Sequence, residues 1–163
     1  MNLKGKAHKF GDDVNTDYII SGRYKFKTLN LKELATHIME DLDPDFYKKI
    51  KSGDFIVAKN NFGCGSSREQ APLAIKNADI GAVLAKSFAR IFFRNSINVG
   101  LPLLECDTDK INKGDKLEID VKNGIIKNKT KGITLKARPL PDAMVKILDA
   151  GGLVNYFREH GGF

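Results

Sequence analysis

The chain has 163 residues, of which 42% are hydrophobic and 29% are charged, a composition typical of one globular domain with a sizeable core. No apolar run approaches the roughly 20 residues of a membrane-spanning helix. Residues 1–6 lack the apolar core of a signal peptide. We therefore expect one domain over residues 1–163, in the cytoplasm, with no membrane partner.

The formal net charge of +7 raises the question of nucleic-acid binding. The lysines are scattered, however, and the aromatic residues are mostly Phe within apolar runs rather than stacking residues beside basic patches. We therefore expect no nucleic-acid partner. A basic surface that attracts an anionic substrate or an acidic partner is the favoured interpretation, and a lysine-rich thermophilic composition is another.

The N-terminal part of the chain combines short elements with polar turns. Weak alternation over residues 3–10 predicts a first strand, which a polar turn segment follows. The apolar piece 18–20 then predicts a short strand, whereas the basic and aromatic residues 23–28 favour a loop, with a strand as the alternative. Apolar residues at helical spacing predict a helix over 31–38 with Asn30 as its N-cap.

The middle of the chain alternates between strand and helix patterns. The predicted strands span 54–58, 80–85 and 100–104, and the predicted helices span 70–77 and 87–96. This alternation is typical of an α/β unit with parallel strand pairing.

The pattern changes after the third of these strands. Short β-like pieces between about 113 and 138, separated by Gly and Asn, predict antiparallel hairpins. A short amphipathic helix over 141–149 and a last helix from about 151 complete the chain. The fold class is therefore α/β, with a mostly parallel central sheet and an added antiparallel β section.

Residues 60–69 form the most informative segment, because two glycines, two serines and an arginine separate a predicted strand from a predicted helix. Ser66 suits an N-cap, with Glu69 three residues later as in a capping box. Arg68 adds a charged fork that fits a carboxylate or a phosphate. Both an anion site at a helix N-terminus and a plain capped turn fit this pattern. A dinucleotide fingerprint and a P-loop do not, because their third Gly and Gly-Lys-Ser/Thr are absent.

Three further features can carry chemistry. Asp17 lies in a polar turn and is either a catalytic carboxylate or an Asx-turn residue. The basic loop around Tyr24 is either a binding loop or ordinary solvated surface. Cys64 stands near a predicted helix N-terminus and an arginine, which favours a lowered thiol pKa and leaves a cysteine-dependent enzyme open. Cys64 and Cys106 alone form neither a disulfide framework nor a metal motif.

Four blocks of sequence together resemble the small subunit of 3-isopropylmalate dehydratase, the swivel domain of the aconitase superfamily. They occur in the order of that family and run almost from one end of the chain to the other. The blocks are Lys9–Asp17 with Ile19 and Ile20, Asn61–Glu69, Ala85–Phe92 followed by Arg94, Asn95 and Asn98–Gly100, and Ala150–Leu153.

The resemblance implies a swivelling β/β/α domain of the aconitase C-terminal type and assigns roles to individual residues. It implies that Ser66 is the proton-abstracting alkoxide, that Ser67 and Arg68 bind a substrate carboxylate, and that Asp17 is an active-site aspartate. It also assigns one segment to the variable arm of the substrate: Tyr24, Lys25, Phe26 and Lys27.

The same resemblance implies that the chain is catalytically incomplete alone. In this family a large subunit carries a [4Fe–4S] cluster, and the small subunit closes over it as part of a heterodimer or heterotetramer. Two isolated cysteines cannot hold such a cluster. We therefore expect no cofactor in this chain, a cluster-bearing large subunit as partner, and a small dicarboxylate or tricarboxylate as substrate.

The expected activity is isomerisation of 2-isopropylmalate and 3-isopropylmalate by dehydration and rehydration in leucine biosynthesis. Phe26 suits an alkyl arm of the substrate, whereas Lys25 or Lys27 suits a carboxylate. A homoaconitase, aconitase-like or dimethylmalate dehydratase subunit is thus the alternative. A stand-alone anion-binding or nucleic-acid-binding domain is a further hypothesis from another class.

Overall fold

The computed structural model describes residues 1–25 and 30–161. Seven strands are described: β1 Asn2–Lys9, β2 Phe55–Val57, β3 Ala82–Ala85, β4 Leu103–Glu105, β5 Lys116–Asp120, β6 Ile125–Asn128 and β7 Ile133–Lys136. The α-helices in the same residues are α1 Thr16–Ile19, α2 Gly22–Lys25, α3 Leu31–Ala35, α4 Phe46–Lys49, α5 Gln70–Asn77, α6 Arg90–Asn98, α7 Asp142–Asp149 and α8 Leu153–His160. A single 3-10 turn spans Thr108–Lys110.

All seven strands belong to one mixed sheet with the order β4-β3-β2-β1-β5-β6-β7. The pairs β1–β2, β2–β3 and β3–β4 are parallel. The pairs β1–β5, β5–β6 and β6–β7 are antiparallel. The predicted α/β class is confirmed, with β1 joining a parallel half to an added antiparallel half.

The parallel strands are buried on both faces, as expected where connections cross over a sheet. Along β2 the side chains alternate, so that Ile56 packs into one apolar cluster while Phe55 and Val57 pack into the other. The first cluster includes residues of α3 and α5, and the second includes residues of α7, α8 and the antiparallel strands. The two-residue period of the strand therefore divides the core into two layers.

Two short helices replace a strand and a loop that the sequence pattern predicts. Residues 18–20 are not a strand, because the side chain of Asn15 accepts a hydrogen bond from the amide of Tyr18 and caps α1. The loop predicted over 23–28 contains α2 up to Lys25, and the rest of that segment lies outside the described residues. Four-residue helices are too short to show a 3.6-residue period.

The N-cap prediction at Asn30 is confirmed, since its side chain accepts hydrogen bonds from the amides of Lys32 and Glu33. The predicted helices that follow the 60–69 segment and close the chain are also present. In the described part of the chain, no helix combines the length and the apolar character needed to cross a bilayer.

A buried carboxylate lies where β1 meets the start of β2. Asp54 accepts hydrogen bonds from the amides of Lys6 and Lys51, at 3.0 Å each. Its third partner is a side chain: Nε2 of His8 lies 2.8 Å from Asp54 Oδ2. Burial works to raise the pKa of Asp54, but these hydrogen bonds outweigh it and the pKa is lowered.

Asp54→Asn is expected to lower the free energy of unfolding by about 1–3 kcal/mol at pH 7, because buried donors lose a charged acceptor. The folded-state pKa of Asp54 lies below the unfolded value of about 3.9, so the ionised carboxylate stabilises the fold above that pH. This stabilisation is lost as the pH falls through the folded-state pKa. The wild-type and variant stabilities should therefore begin to converge as the pH falls below about 4 and meet only below the folded-state pKa. Urea unfolding measured from pH 7 to pH 3 checks this.

Asp45→Asn is the control, because Asp45 is exposed and makes no N-cap hydrogen bond with its side chain. A stability difference between wild type and Asp54→Asn that stays constant down to pH 3 would contradict the proposed linkage.

Candidate active site

Three loops meet at the carboxyl edge of the parallel half of the sheet. They follow β1, β2 and β3, and they carry residues 10–15, 58–69 and 86–89 respectively. Because neighbouring parallel strands end on the same side of a sheet, their following loops are brought side by side. Motifs that lie more than 70 residues apart in sequence, at positions 10–15 and 86–89, thus share one edge.

Backbone hydrogen bonds continue the parallel pairing beyond the strands. The amide of Gly63 donates to the carbonyl of Val14 at 2.8 Å, and the amide of Thr16 donates to the carbonyl of Cys64 at 2.9 Å. On the other side, the amide of Ala89 donates to the carbonyl of Phe62 at 2.9 Å. The central loop is therefore fixed on both sides by the loops that flank it.

The two glycines of the central loop occupy backbone conformations that disfavour other residues. Gly63 has φ +83° and Gly65 has φ +94°. A Cβ on Gly63 would lie 2.2 Å from Cγ of Phe92, so the ring of Phe92 fills the space that a side chain would need. The turn and α6 are thus packed in contact at this point.

Ser66 is not the N-cap of the following helix, contrary to the capping box that the sequence predicts. Helix α5 begins at Gln70 with Glu69 at the cap position, and no side chain caps it. Ser66 and Ser67 precede it in an exposed, irregular segment. Pro72 is the third residue of α5, where its missing amide is not needed by the helix.

Ser66 is held instead by the buried side chain of Thr16, whose hydroxyl donates to the carbonyl of Ser66 at 2.9 Å. Within the described residues, the hydroxyls of Ser66 and Ser67 have no hydrogen-bond partner. The backbone is therefore fixed by Thr16, while both hydroxyls remain available to a ligand as far as the described residues are concerned.

Arg68 lies between Ser67 and the two short helices near the N-terminus. Its Nη1 is 2.6 Å from Oδ1 of Asp17, and the Arg68 side chain is only 18% exposed. The same nitrogen lies 3.5 Å from the carbonyl oxygen of Ile20. A Cβ built on Gly22 would lie 3.5 Å from both Nη atoms, so the start of α2 lies against the guanidinium.

A cleft of about 190 Å³ separates the turn from the first part of α6. One wall carries Ser66, Ser67 and Arg68, and the other carries Arg90 and Asn95. Thr16, Arg90 and Asn95 also line the cleft, although they are not among the site residues predicted from the sequence. All three lie within the motif blocks, but their contacts with the turn join residues far apart in sequence and could not be predicted from local patterns.

The start of α6 adds positive charge to one wall of this cleft. Its cap position is Ala89, which has no side-chain acceptor for the first-turn amides. Arg90 adds an exposed charge on the same helix. The helix dipole that favours an anion in this cleft is therefore that of α6, whereas one of the two interpretations of the sequence used the N-terminus of α5.

The substrate-arm segment is only partly described. The hydroxyl of Tyr24 donates to Oε1 of Glu40 at 2.6 Å, and its ring stacks on His37 with a centroid distance of 4.0 Å. Lys25 is the last residue of α2, while Phe26 and Lys27 lie outside the described residues. Contact of these residues with a substrate stays a prediction.

The predicted lowering of the Cys64 thiol pKa is wrong. Burial and the nearby carboxylate of Asp13 raise the pKa of Cys64, and burial with Asp107 raises that of Cys106 to about 12. Neither thiol therefore has the lowered pKa that is typical of an activated cysteine nucleophile. Over the described residues there is no group of three or more His, Cys, Asp or Glu side chains that could hold a metal ion.

Comparisons with known proteins agree with one another. The sequence profile of the aconitase C-terminal domain matches residues 16–109. The 3-isopropylmalate dehydratase small subunit 2 of Archaeoglobus fulgidus is 59% identical, over 99% of this chain and 98% of the relative. The small subunit of Methanosarcina mazei is 57% identical, over 96% and 97%. The crystal structure of 3-isopropylmalate dehydratase from Methanocaldococcus jannaschii has a TM-score of 0.95, 53% identity, and 99% and 96% coverage.

Gly63→Ala is expected to destabilise the fold by several kcal/mol, since it adds a clash with the Phe92 ring to the strain of a positive φ. Gly114→Ala is the matched control: its φ is +84°, and nothing lies within 4 Å of a built Cβ. The control should cost only about 1–2 kcal/mol. Equal losses in urea unfolding would contradict the close packing of the turn on α6.

Proposed function

Because the chain belongs to the 3-isopropylmalate dehydratase small-subunit family, we propose that it forms part of a hydro-lyase that isomerises 2-isopropylmalate and 3-isopropylmalate in leucine biosynthesis. The observation that carries this function is the cleft beside Ser66, which unites the Ser-Ser-Arg turn, Asp17 and α6. Two relatives that align with this chain over almost their whole length are named as small subunits of 3-isopropylmalate dehydratase.

Dehydration of these substrates requires the removal of a proton from a carbon next to a carboxylate. The hydroxyl of Ser66 is free of partners within the described residues, and its backbone is fixed by Thr16. A serine hydroxyl can serve as a base only where positive charge stabilises its alkoxide enough for that form to be accessible. We assign that stabilisation to the guanidinium of Arg68 and to the first turn of α6, which share the cleft with Ser66.

The substrate brings at least two carboxylates, and the turn offers an anion clamp for one of them. Ser67 supplies a hydroxyl and Arg68 a planar fork, which suits bidentate contact with a carboxylate. Asp17 takes one face of that fork at 2.6 Å. Its proposed role is to hold Arg68 in one orientation, so that the remaining guanidinium donors face the cleft.

The variable arm of the substrate is assigned to the segment that continues from α2. Tyr24 and Lys25 lie in α2 and lead directly into Phe26 and Lys27. An isopropyl arm would meet an apolar surface, and Phe26 is the apolar residue of this segment. The lysines would serve a third carboxylate in a tricarboxylate substrate.

The iron–sulfur cluster that the family uses does not fit this chain. The two thiols have raised pKa values, and they are 42 residues apart without further ligands nearby among the described residues. We assign the cluster to a large subunit that docks over the cleft. The steps that this chain performs are proton transfer and carboxylate binding. Reduced thiols are consistent with a cytoplasmic location.

The substrate is tested by co-expressing the chain with a cluster-bearing large subunit and assaying anaerobically. Hydro-lyase activity is expected on 2-isopropylmalate and 3-isopropylmalate, well above that on citrate, homocitrate and dimethylmalate, because an alkyl arm matches Phe26. Higher activity on homocitrate or citrate would reassign the substrate. No activity on any of the five, together with salt-sensitive nucleic-acid binding by the chain alone, would contradict the proposed enzyme.

Ser66→Ala is expected to lower kcat by about 10²–10⁴-fold, since it removes the proposed base. Cys64→Ser, two residues earlier in the same turn, should change kcat by less than about threefold, because the Cys64 thiol has a raised pKa. Steady-state kinetics on the reconstituted complex provide the comparison. The reverse order of effects would support a cysteine-dependent enzyme instead.

A further inference from the structure

Glu40 collects three side-chain hydrogen bonds at a place to which the sequence analysis assigns no function. Tyr24 donates to Oε1 at 2.6 Å, and Arg23 Nη2 donates to the same oxygen at 3.2 Å. Nδ1 of His37 lies 2.6 Å from Oε2. Both oxygens of the carboxylate are thus engaged, and its side chain is 27% exposed.

Two of the three donors belong to α2, a helix of only four residues. A single helical turn is not stable by itself, because nucleation costs more than one turn returns. The stacking of Tyr24 on His37, the hydrogen bonds to Glu40 and the Arg23 contact with Asp41 therefore help to hold α2 in place. Burial works to raise the pKa of Glu40, but its donors outweigh this and lower the pKa, which keeps it a charged acceptor.

The backbone around Glu40 is arranged to present it to α2. The preceding residue, Met39, is fully buried and has φ +57°, an unusual conformation for a non-glycine residue. Its amide donates to the carbonyl of Ile19 at 2.9 Å, which ties this turn to the end of α1. A strained, buried residue with a tertiary hydrogen bond indicates that the position of the turn is fixed by its surroundings.

The other end of α2 lies against the proposed anion clamp. Gly22 begins α2 and borders both Nη atoms of Arg68, and the Ile20 carbonyl lies 3.5 Å from Nη1. A shift of α2 would therefore remove the support on one side of the guanidinium while leaving the Asp17 contact on the other. Small displacements of a group that binds substrate can cost up to about 100-fold in rate.

We propose that Glu40 is a positioning residue: by holding Tyr24 and Arg23 it keeps α2 against Arg68 and so fixes the orientation of the carboxylate clamp. The inference rests on the proposed function of Arg68. Glu40 does not touch substrate in this arrangement, and its effect passes through α2.

The test uses the complex with the large subunit and measures kcat and KM for 3-isopropylmalate. Glu40→Gln is expected to raise KM by about 10-fold, because a misoriented clamp weakens carboxylate binding, and to lower kcat by about 3- to 10-fold, because the same guanidinium is assigned to the Ser66 alkoxide. The matched control is Asp41→Asn, the neighbouring carboxylate, which accepts from Arg23 at 3.0 Å but holds neither Tyr24 nor His37. The control should change KM by less than about twofold.

A double-mutant cycle separates positioning from a purely structural role. In an Arg68→Lys background, which lacks the planar fork, Glu40→Gln should lower kcat/KM by less than about twofold. If Glu40→Gln folds poorly, Tyr24→Phe replaces it in the test, because it removes one donor to Glu40 and keeps the ring. Tyr24→Phe should also raise KM. Circular dichroism and urea unfolding of each variant report the folded fraction.

Two results would overturn the inference alone. The first is a KM of Glu40→Gln equal to that of Asp41→Asn. The second is a loss of kcat/KM on Glu40→Gln that is equally large in the wild-type and in the Arg68→Lys background. An inactive wild-type complex would overturn the inference together with the proposed function, so the two failures are distinguishable.

Discussion

The site depends on the lateral hydrogen bonding of three loops at the carboxyl edge of a parallel sheet. The central loop, which contains Ser66 and Arg68, is irregular, and the helix that follows it begins only at Gln70. It stays in one conformation because its backbone pairs with the loop after β1 on one side and the loop after β3 on the other. Without these pairs, Gly63 and Gly65 would leave the turn free to sample many conformations.

The same arrangement explains how an exposed serine can be rigidly held. The buried hydroxyl of Thr16 fixes the Ser66 carbonyl, while the serine hydroxyl has no hydrogen-bond partner among the described residues. Arg68 is fixed by contacts on several sides, with Asp17, the Ile20 carbonyl and Gly22 around its guanidinium. A preorganised cation needs little reorganisation when charge develops beside it, which is the condition for electrostatic catalysis.

The pKa shifts and the helix boundaries change the roles that residues 60–69 suggest when they are considered alone. Next to Gly63 and Gly65, Cys64 is a plausible nucleophile in the sequence, yet burial and Asp13 raise its thiol pKa. Ser66 is a plausible helix cap, yet the helix begins four residues later. The helix dipole that serves the cleft belongs to α6, which no local reading of residues 60–69 could include.

Hydrophobic periodicity was enough to predict the parallel unit, the antiparallel section and the long helices, because these features are local and repeat over many residues. The motif blocks likewise identified the family and supplied the proposed site residues Ser66, Ser67, Arg68 and Asp17. Only the tertiary structure decided that Asp17 meets Arg68, that Thr16 holds Ser66, and that Glu40 supports α2. Each of these contacts joins segments 16 to 51 residues apart in the chain, and short elements such as α1 and α2 form only where such partners exist.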